Sequence, residues 1–248
     1  MQRFFVETYQ IEEENHCIHV TGADVNHIKN VLRMKQGEEL WISDGGTKEY
    51  RCEIESLGDE EVLLHIIYAQ EQNYELPNRI YLFQGLPKAD KMELIIQKAV
   101  ELGAYAIVPV ETKRCVVKLD EKKAAKKTAR WQQIAESAAK QSKRMLIPKI
   151  HEVMSFQDAL KLAEELDIRL IPYELAKGMK ETKKILNQIR PGQSVGIFIG
   201  PEGGFEENEV SQALEKGAQA ITLGRRILRT ETAGLAILSV LMFQLEND

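Results

Sequence analysis

From residue 79 onward the chain alternates between short apolar runs and longer amphipathic segments, and this alternation constrains its fold more than any other feature. Short apolar runs are typical of buried strands, and the segments between them carry apolar residues at helical spacing. The predicted strands are 79–86, 104–110, 147–153, 168–173, 194–199 and 218–223, and the predicted helices are 89–102, 120–141, 155–166, 181–189 and 206–216. The pattern predicts an α/β domain with a mostly parallel sheet, helices on both faces, and ligands at the carboxyl ends of the strands.

Residues 1–72 have a different pattern, in which short alternating runs are separated by turn residues. The predicted strands are 3–7, 17–21, 39–43, 49–56 and 62–68, and Asp44-Gly45-Gly46 is typical of a hairpin. One short helix interrupts them, with Asp24 placed to cap it and Val25 and Ile28 on its apolar face. We therefore expect a small β-barrel domain at 1–72, a linker at 73–78 and the α/β domain at 79–248.

Two glycine-containing loops each follow a predicted strand and open a helix. In the first, at 200–205, the helix that follows begins with acidic residues, which its dipole favours. The second, at 223–234, does the opposite, because Arg225, Arg226 and Arg229 crowd the positive end of the helix that begins near Thr230. That placement costs free energy unless an anion lies there, so the second loop predicts a site for negative charge.

Positive charge is also concentrated in the segment 113–149. It contains twelve Lys and Arg residues against three acids, so it carries +9, and the rest of the chain carries −14 of the net charge of −5. Such clustering is typical of a surface that binds a polyanion, and Trp131 and Gln132 on the same helix offer stacking and hydrogen bonding. The alternative is a solvated, Lys-rich helix without a partner.

Several common chemistries have no counterpart in the sequence. The P-loop, the G-x-S-x-G elbow, the H-E-x-x-H metal motif and a G-x-G-x-x-G after the first strand of the α/β domain do not occur. Cys17, Cys52 and Cys115 are too far apart for a zinc motif, so we expect reduced, structural thiols and no metal. The apolar run 235–243 is too short to span a bilayer, and the N-terminus is unlike a signal peptide, which predicts a cytoplasmic location and no membrane partner.

The two loops together resemble the signature segments of a known family. I-G-P-E-G-G-F at 199–205 and L-G-x-R-I-L-R-T-E-T-A at 223–233 are similar to those of the SPOUT methyltransferases of the RsmE type, which methylate N3 of a uridine in 16S ribosomal RNA. The resemblance continues at 84–93, 97–98, 101–103, 130–131 and 138–144, and at 27–33 in the first domain. A departure is Lys113-Arg114-Cys115, where family members more often carry an Arg-Ser pair.

The resemblance implies a PUA-like barrel, an α/β domain tied in a trefoil knot, and a homodimer with the site near its interface. It also implies S-adenosylmethionine as cofactor, without a metal, bound in the knotted loops. The residues implied to bind it are Pro172, Tyr173, Glu174, Ile199, Gly200, Gly203, Gly204, Leu223, Gly224, Ile227, Leu228 and Thr230. The apolar terminal helix, which carries more apolar residues than one buried stripe requires, agrees with a dimer.

The charge that develops during methyl transfer then suggests roles for single residues. N3 of uridine must lose its proton to attack, so the enzyme must stabilise negative charge on the ring, and the fork of Arg229 suits a carbonyl oxygen of the imidate. Glu231 or Glu202 takes the proton, orients Arg229, or is merely a first-turn or turn residue. The residues expected to contact 16S rRNA, free or in the assembled small subunit, are His27, Lys29, Arg33, Lys88, Lys91, Lys113, Arg114, Arg130, Arg144, Arg225 and Arg226.

Two other classes of function remain open at this point. A pure RNA-binding protein would use the basic segment and bind no cofactor. An unrelated α/β enzyme would use the helix starts near Gly203 and Thr230 to hold a phosphorylated metabolite.

Overall fold

A computed structural model describes residues 1–71, 74–173 and 178–246. The chain divides into two compact units. The first comprises residues 1–75 and 139–147, and the second comprises residues 76–138 and 148–248. Each unit has its own sheet and its own apolar core.

The first unit is built on a six-stranded sheet in the order β1-β4-β5-β6-β3-β2. Its strands are β1 (Arg3–Phe5), β2 (Ile11–Glu12), β3 (Cys17–Thr21), β4 (Glu39–Ser43), β5 (Lys48–Leu57) and β6 (Glu61–Glu71). All neighbours are antiparallel except β1 and β4. Two irregularities in the register of β5 and β6 bend these long strands, and the apolar side chains on the inner face form one core.

The five strands predicted in this region are confirmed, and β2 was missed because it has only two residues. The short helix is present as α1 (Ala23–Asn26), continued by a π-helical turn at His27–Val31. The predicted cap is wrong. Gly22 occupies the N-cap position, and the Asp24 carboxylate instead accepts from Nζ of Lys140 at 3.0 Å.

The second unit contains a seven-stranded sheet in the order β10-β8-β7-β12-β11-β13, with β9 also paired to β8. The strands are β7 (Arg79–Gly85), β8 (Ala106–Glu111), β9 (Lys149–Ile150), β10 (Met154–Ser155), β11 (Ile168–Pro172), β12 (Ser194–Ile199) and β13 (Gln219–Ile221). Every pair is parallel, as the alternation predicts. The single strand predicted at 147–153 is wrong, because the chain pairs only briefly at β9 and again at β10.

Helices cover both faces of this sheet. They are α2 (Lys91–Glu101), α3 (Glu121–Gln141), α4 (Phe156–Glu164), α5 (Met179–Leu186), α6 (Glu207–Glu215) and α7 (Thr230–Leu245), the end of α3 belonging to the first unit. Phe83 and Phe198 stack on one face at 4.4 Å and pack with α4. Their neighbours Leu82 and Ile199 point to the other face, where the backbone of α7 passes at Gly234. All six residues of β12 are therefore buried.

None of the helices in the described part of the chain combines the length and the apolar character needed to cross a membrane.

Candidate functional site: the cavity of the two glycine loops

A cavity of about 780 Å³ opens at the carboxyl ends of β11, β12 and β13. This is the edge where a parallel sheet binds its ligands. The cavity brings together every residue expected to hold a cofactor except Glu174, which lies outside the described residues. Its full lining is Lys91, Arg114, Pro172, Tyr173, Ile199–Phe205, Thr222–Thr230 and Ala233.

In the first loop, residues 200–205, the charged side chain is bound by the protein itself. The Glu202 carboxylate accepts from Nζ of Lys91 at 2.9 Å and from the backbone N–H of Lys88 at 3.1 Å. Burial works against ionisation of Glu202, but these bonds outweigh it and lower the pKa of this carboxyl. The bond to Glu202 in turn raises the pKa of Lys91. Glu202 is therefore a stable anion and a weak base.

Close backbone packing also fixes the first loop. A Cβ on Gly200 would lie 3.0 Å from the backbone carbon and Cα of Gly204. A side chain at position 200 would push the two ends of this loop apart. Arg114 closes the loop from outside, because its guanidinium donates to the Gly203 carbonyl at 3.0 Å.

The second loop, residues 222–229, leaves its polar groups open. Gly224 holds a φ of +115°, which a residue with a side chain adopts only under strain, and this turns the chain into the loop. Within the described residues, no hydrogen-bond partner is found for the backbone N–H groups of Leu223, Ile227 and Leu228. The residues that carry these donors line the cavity, beside any ligand that it holds.

The three arginines of the second loop also have no ion-pair partner among the described residues. Arg225, Arg226 and Arg229 are exposed, and no carboxylate of the described residues forms an ion pair with any of them. Helix α7 begins at Thr230, and Arg229 is its N-cap residue, so the three cations lie at the positive end of its dipole. Nothing in the described structure neutralises this charge, and an anionic ligand would.

A buried amide links the two loops. Gln84 on β7 donates from Nε2 to Thr230 Oγ1 at 2.9 Å, and the Thr230 hydroxyl donates to the Gly200 carbonyl at 2.6 Å. Gln84 is fully buried, and its Oε1 atom has no partner among the described residues. The start of α7 and the first loop are thus held in one geometry by a single polar chain.

Glu231 lies in the first turn of α7 and does not line the cavity. Its Oε2 atom is 3.5 Å from Nζ of Lys91 and has no hydrogen-bond partner in the described structure. Lys91 therefore stands between the two carboxylates that the sequence proposed as proton acceptors. Neither carboxylate forms an ion pair with Arg229 among the described residues.

The residues predicted to contact RNA differ in exposure. Lys91, Arg114, Arg225 and Arg226 line the cavity. Those that lie exposed outside it are His27, Arg33, Lys88, Lys113 and Arg130, of which Arg130 pairs with Glu93. Lys29 is partly buried, and its ammonium group pairs with the exposed Asp59.

Two expectations about nucleic-acid contacts are wrong. The side chain of Arg144 is only 5% exposed and pairs with Glu75, so it serves the interior of the first unit. Trp131 is 3% exposed and packs beneath Lys127, so its ring has no free face for a base. Gln132 on the same helix bonds to the backbone of Pro148 and Ile150. Helical periodicity predicted that Trp131 and Gln132 lie on a helix but not which face of that helix is buried.

Some lining residues were not predicted as site residues. Pro201, Phe205 and Ala233 fall inside the two motifs and Thr222 directly precedes the second, so extending the assignment along each motif would have included them. Gln84 begins the segment 84–93 that shares the family resemblance, but its role depends on a contact with Thr230, 146 positions away, which the sequence does not reveal.

Comparisons with known proteins agree with both units. Residues 74–242 match the RNA methyltransferase domain family, and residues 20–67 match the RNA methyltransferase PUA domain family. The chain is 42% identical to ribosomal RNA small subunit methyltransferase E of Bacillus subtilis, over 99% of this chain and 98% of that protein. It is 37% identical to the protein of the same name from Mesomycoplasma hyopneumoniae, over 96% of this chain and 98% of that protein.

A solved structure is similar over the same extent. It is ribosomal RNA small subunit methyltransferase E of Neisseria gonorrhoeae bound to S-adenosyl methionine, with a TM-score of 0.85 and 35% identity. The alignment covers 98% of this chain and 98% of that one.

Proposed function

The chain belongs to the RNA methyltransferase family that includes ribosomal RNA small subunit methyltransferase E, and on this premise we propose that it transfers a methyl group from S-adenosylmethionine to N3 of a uridine in 16S ribosomal RNA. The relatives are named for the ribosomal substrate, and one of their structures holds the cofactor. The observation that carries the proposal is the open charge of Arg225, Arg226 and Arg229 beside the cavity of the glycine loops. Ribosomal RNA as substrate places the enzyme in the cytoplasm.

The residues of the cavity fit S-adenosylmethionine. The open N–H groups of Leu223, Ile227 and Leu228 suit the acceptor edge of an adenine, and the glycines allow a flat ring to approach the backbone. Pro172, Tyr173, Ile199, Gly200, Gly203, Gly204, Gly224 and Thr230 complete the set that would hold the cofactor. Bound there, it supplies a methyl group on a cationic sulfur that a ring nitrogen can displace directly.

Arg229 has the position and the chemistry to stabilise the reacting base. The neutral imide nitrogen of uracil has no useful lone pair, so negative charge develops on the ring when its proton leaves. The guanidinium of Arg229 is permanently charged and carries two parallel donors for a carbonyl oxygen of that anion. It lies at the positive end of α7, and no carboxylate of the described residues pairs with it. Its charge is therefore free to bind the uracil anion without first breaking an ion pair.

Two carboxylates are candidates for the proton acceptor: Glu202, which lines the cavity, and Glu231, which does not line it but lies 3.5 Å from Lys91. Glu202 is held by Lys91 and a backbone N–H, and its lowered pKa makes it a weak base. Glu231 keeps one oxygen without a hydrogen-bond partner in the described residues, 3.5 Å from Lys91. Lys91 would then hold both carboxylates in place and balance their charge as the proton moves.

Recognition of the RNA would be shared between the domains. The proposed RNA-binding domain is the barrel at 1–72, with His27, Lys29 and Arg33, followed by the linker at 73–78. In the catalytic domain at 79–248, the contacts are Lys88, Lys91, Lys113, Arg114, Arg130, Arg225 and Arg226. Because most of these groups are cations that pair with phosphates, they favour recognition of the RNA backbone and its shape.

Two features of the family fold are part of the same proposal. The first is a trefoil knot formed by the cofactor loops, which the order β12-β11-β13 supports because the chain enters β11 before β12 and returns to the far side of β11. The second is a homodimer. Phe243 and Val240 on α7 are 86% and 48% exposed, an apolar surface that a second copy of the chain would cover.

The decisive experiment incubates the enzyme and S-adenosylmethionine with unmodified small subunits and, separately, with free 16S rRNA, and maps the product by mass spectrometry. One N3-methyluridine in either substrate supports the proposal, and the substrate that reacts is the natural one. A methyl group elsewhere, or none in either, contradicts it. Calorimetry distinguishes the alternatives. A pure RNA-binding protein gives no heat of binding with S-adenosylmethionine, and an enzyme for a phosphorylated metabolite binds a sugar phosphate instead.

A further inference from the structure

The outer face of the first unit carries a cluster of three metal-ligand types that the methyl transfer does not use. It consists of Glu12 on β2 with Cys17 and His19 on β3, and their ligand atoms all lie within 4.8 Å of one another. Glu12 and Cys17 are directly paired across β2 and β3, and Cys17 and His19 point to the same face because they are two residues apart. The sheet itself therefore fixes the arrangement.

The distances are close to those of a tetrahedral zinc site. Cys17 Sγ is 3.6 Å from Glu12 Oε2 and 3.6 Å from His19 Nε2, and His19 Nε2 is 3.6 Å from the other oxygen of Glu12, Oε1. With one oxygen of Glu12 as ligand, the three ligand atoms lie within 4.8 Å of one another. Tetrahedral zinc with bonds of normal length separates its ligand atoms by about 3.3 to 3.6 Å, so a rotation of the Glu12 carboxylate would complete the triangle.

A second carboxylate orients the histidine. His19 Nδ1 lies 2.8 Å from Glu61 Oε1, so a proton on Nδ1 is donated to Glu61 and the lone pair is left on Nε2, which faces Cys17 and Glu12. Metal-bound histidines have this arrangement, in which a carboxylate on the far nitrogen fixes the tautomer. Glu61 also adds negative charge beside the cluster.

The opposite strand offers a fourth ligand. His65 on β6 pairs directly with Cys17 and is exposed, so it shares the face of the cluster. Directly opposed residues on antiparallel strands have their Cβ atoms about 5 Å apart, within reach of an imidazole. A water molecule would occupy this position if His65 did not.

We propose that Glu12, Cys17 and His19 form a zinc-binding site on the barrel, with Glu61 orienting His19 and His65 or water as fourth ligand. A sulfur, an imidazole nitrogen and one carboxylate oxygen are donors that zinc accepts together, whereas magnesium and calcium prefer oxygen alone. The site is structural, because it ties β2, which has only two residues, to the sheet. Its members are dispersed along the sequence, and strand pairing rather than a spacing motif brings them together.

An alternative use of these residues is a thiol nucleophile with His19 as its base. The local charge disfavours it, because burial and the neighbouring Glu12 raise the pKa of the Cys17 thiol. Activated cysteines have positive neighbours instead. The same carboxylates that disfavour a thiolate attract a divalent cation. The local charge therefore favours metal binding over a free thiolate nucleophile.

The test is a titration of the full chain, freed of metal under reducing conditions, with Co²⁺ and then with Zn²⁺ in competition. We expect one equivalent of Co²⁺ to give the near-ultraviolet charge-transfer band of a thiolate ligand, and Zn²⁺ to displace it. Cys17→Ser removes the band, His19→Ala weakens binding at least tenfold, and Glu61→Gln weakens it about ten- to a hundredfold. His65→Ala distinguishes the two candidates for the fourth ligand. The affinity for Co²⁺ falls if His65 is that ligand and stays unchanged if water is.

Cys115→Ser, a buried thiol in the second unit, is the matched control and keeps the band. Stoichiometric zinc also raises the melting temperature of the wild type and not that of Cys17→Ser. The proposal is overturned if the wild type gives no thiolate band, or if the band survives Cys17→Ser. Circular dichroism and urea unfolding of each metal-free variant report separately on whether the first unit is folded, and a variant that is folded but lacks the band supports the proposal.

Discussion

The two glycine loops line one cavity and differ in how their polar groups are satisfied. In the first, Glu202 is held by Lys91 and Lys88, and Gly200 packs against Gly204. In the second, three arginines and three backbone N–H groups have no partner in the described structure. A loop whose carboxylate is paired and whose ends pack together is a rigid wall, and a loop with unpaired charge gains its partners from ligands. The difference predicts that changes in the first loop act on geometry and changes in the second act on charge.

The largest expected effect is on the charge of the second loop. Arg229→Ala removes the donor for the uracil anion, and we expect kcat to fall by about 10² to 10³ while the Kd of S-adenosylmethionine stays within a few-fold of wild type. Single-turnover kinetics and calorimetry measure the two quantities. Arg226→Ala is the matched control, since loss of a phosphate contact raises KM and leaves kcat. If kcat of Arg229→Ala is nearly normal, the assignment of charge to this residue is wrong.

A change in the geometry of the first loop should affect cofactor binding. Gly200→Ala places a Cβ 3.0 Å from the backbone of Gly204, a strain of about 1 to 3 kcal/mol. We expect the affinity for S-adenosylmethionine to fall about ten- to a hundredfold, because the loop must open to relieve the contact. Calorimetry checks this against Gly234→Ala, whose Cβ has only ordinary contacts at 3.7 Å. Equal affinities for the two variants would mean that the first loop is not a rigid wall.

The sequence predicted much of this comparison. Strand β12 is Ser194–Ile199, as predicted, and α7 begins at Thr230, because an uninterrupted apolar run and a change to helical spacing are local signals. The two loops were placed at one edge of the sheet by the rule for parallel strands. What the sequence did not predict depends on distant contacts. The burial of Arg144 against Glu75 and of Trp131 on α3, and the bond of Gln84 to Thr230, require knowledge of which faces meet.

Gln84 links the two loops through Thr230, and we expect a change at Gln84 to have an effect of intermediate size. Gln84→Leu removes the donor to Thr230 and to the Gly85 carbonyl, which leaves buried acceptors unsatisfied and lowers the free energy of unfolding by about 1 to 3 kcal/mol. Because the loops then lose their common geometry, we also expect a severalfold loss of cofactor affinity. Denaturant unfolding measures the free energy of unfolding, and calorimetry measures the affinity for S-adenosylmethionine.

Gln132→Leu is the control for this link. Its amide also bridges two backbone groups, those of Pro148 and Ile150, but it does not line the cavity. It should lose similar stability and keep its cofactor affinity. A loss of affinity in both variants would attribute the effect to general destabilisation.

The smallest expected effect is the pH dependence of the ion pair in the first loop. The pKa of Glu202 is lowered from its ordinary value of 4.5, so its bonds stabilise the fold above that pH, and this contribution is lost as the pH falls through the lowered value. Glu202→Gln removes the charge and should cost less than about 1 kcal/mol at pH 7, since the pair is partly exposed. The difference from wild type, measured by urea unfolding, should shrink to near zero below the lowered pKa. Glu207→Gln, an exposed acid in the first turn of α6, controls for net charge. A difference that stays constant with pH would mean that Glu202 acts through its shape rather than its charge, and the first loop would then be rigid without its ion pair.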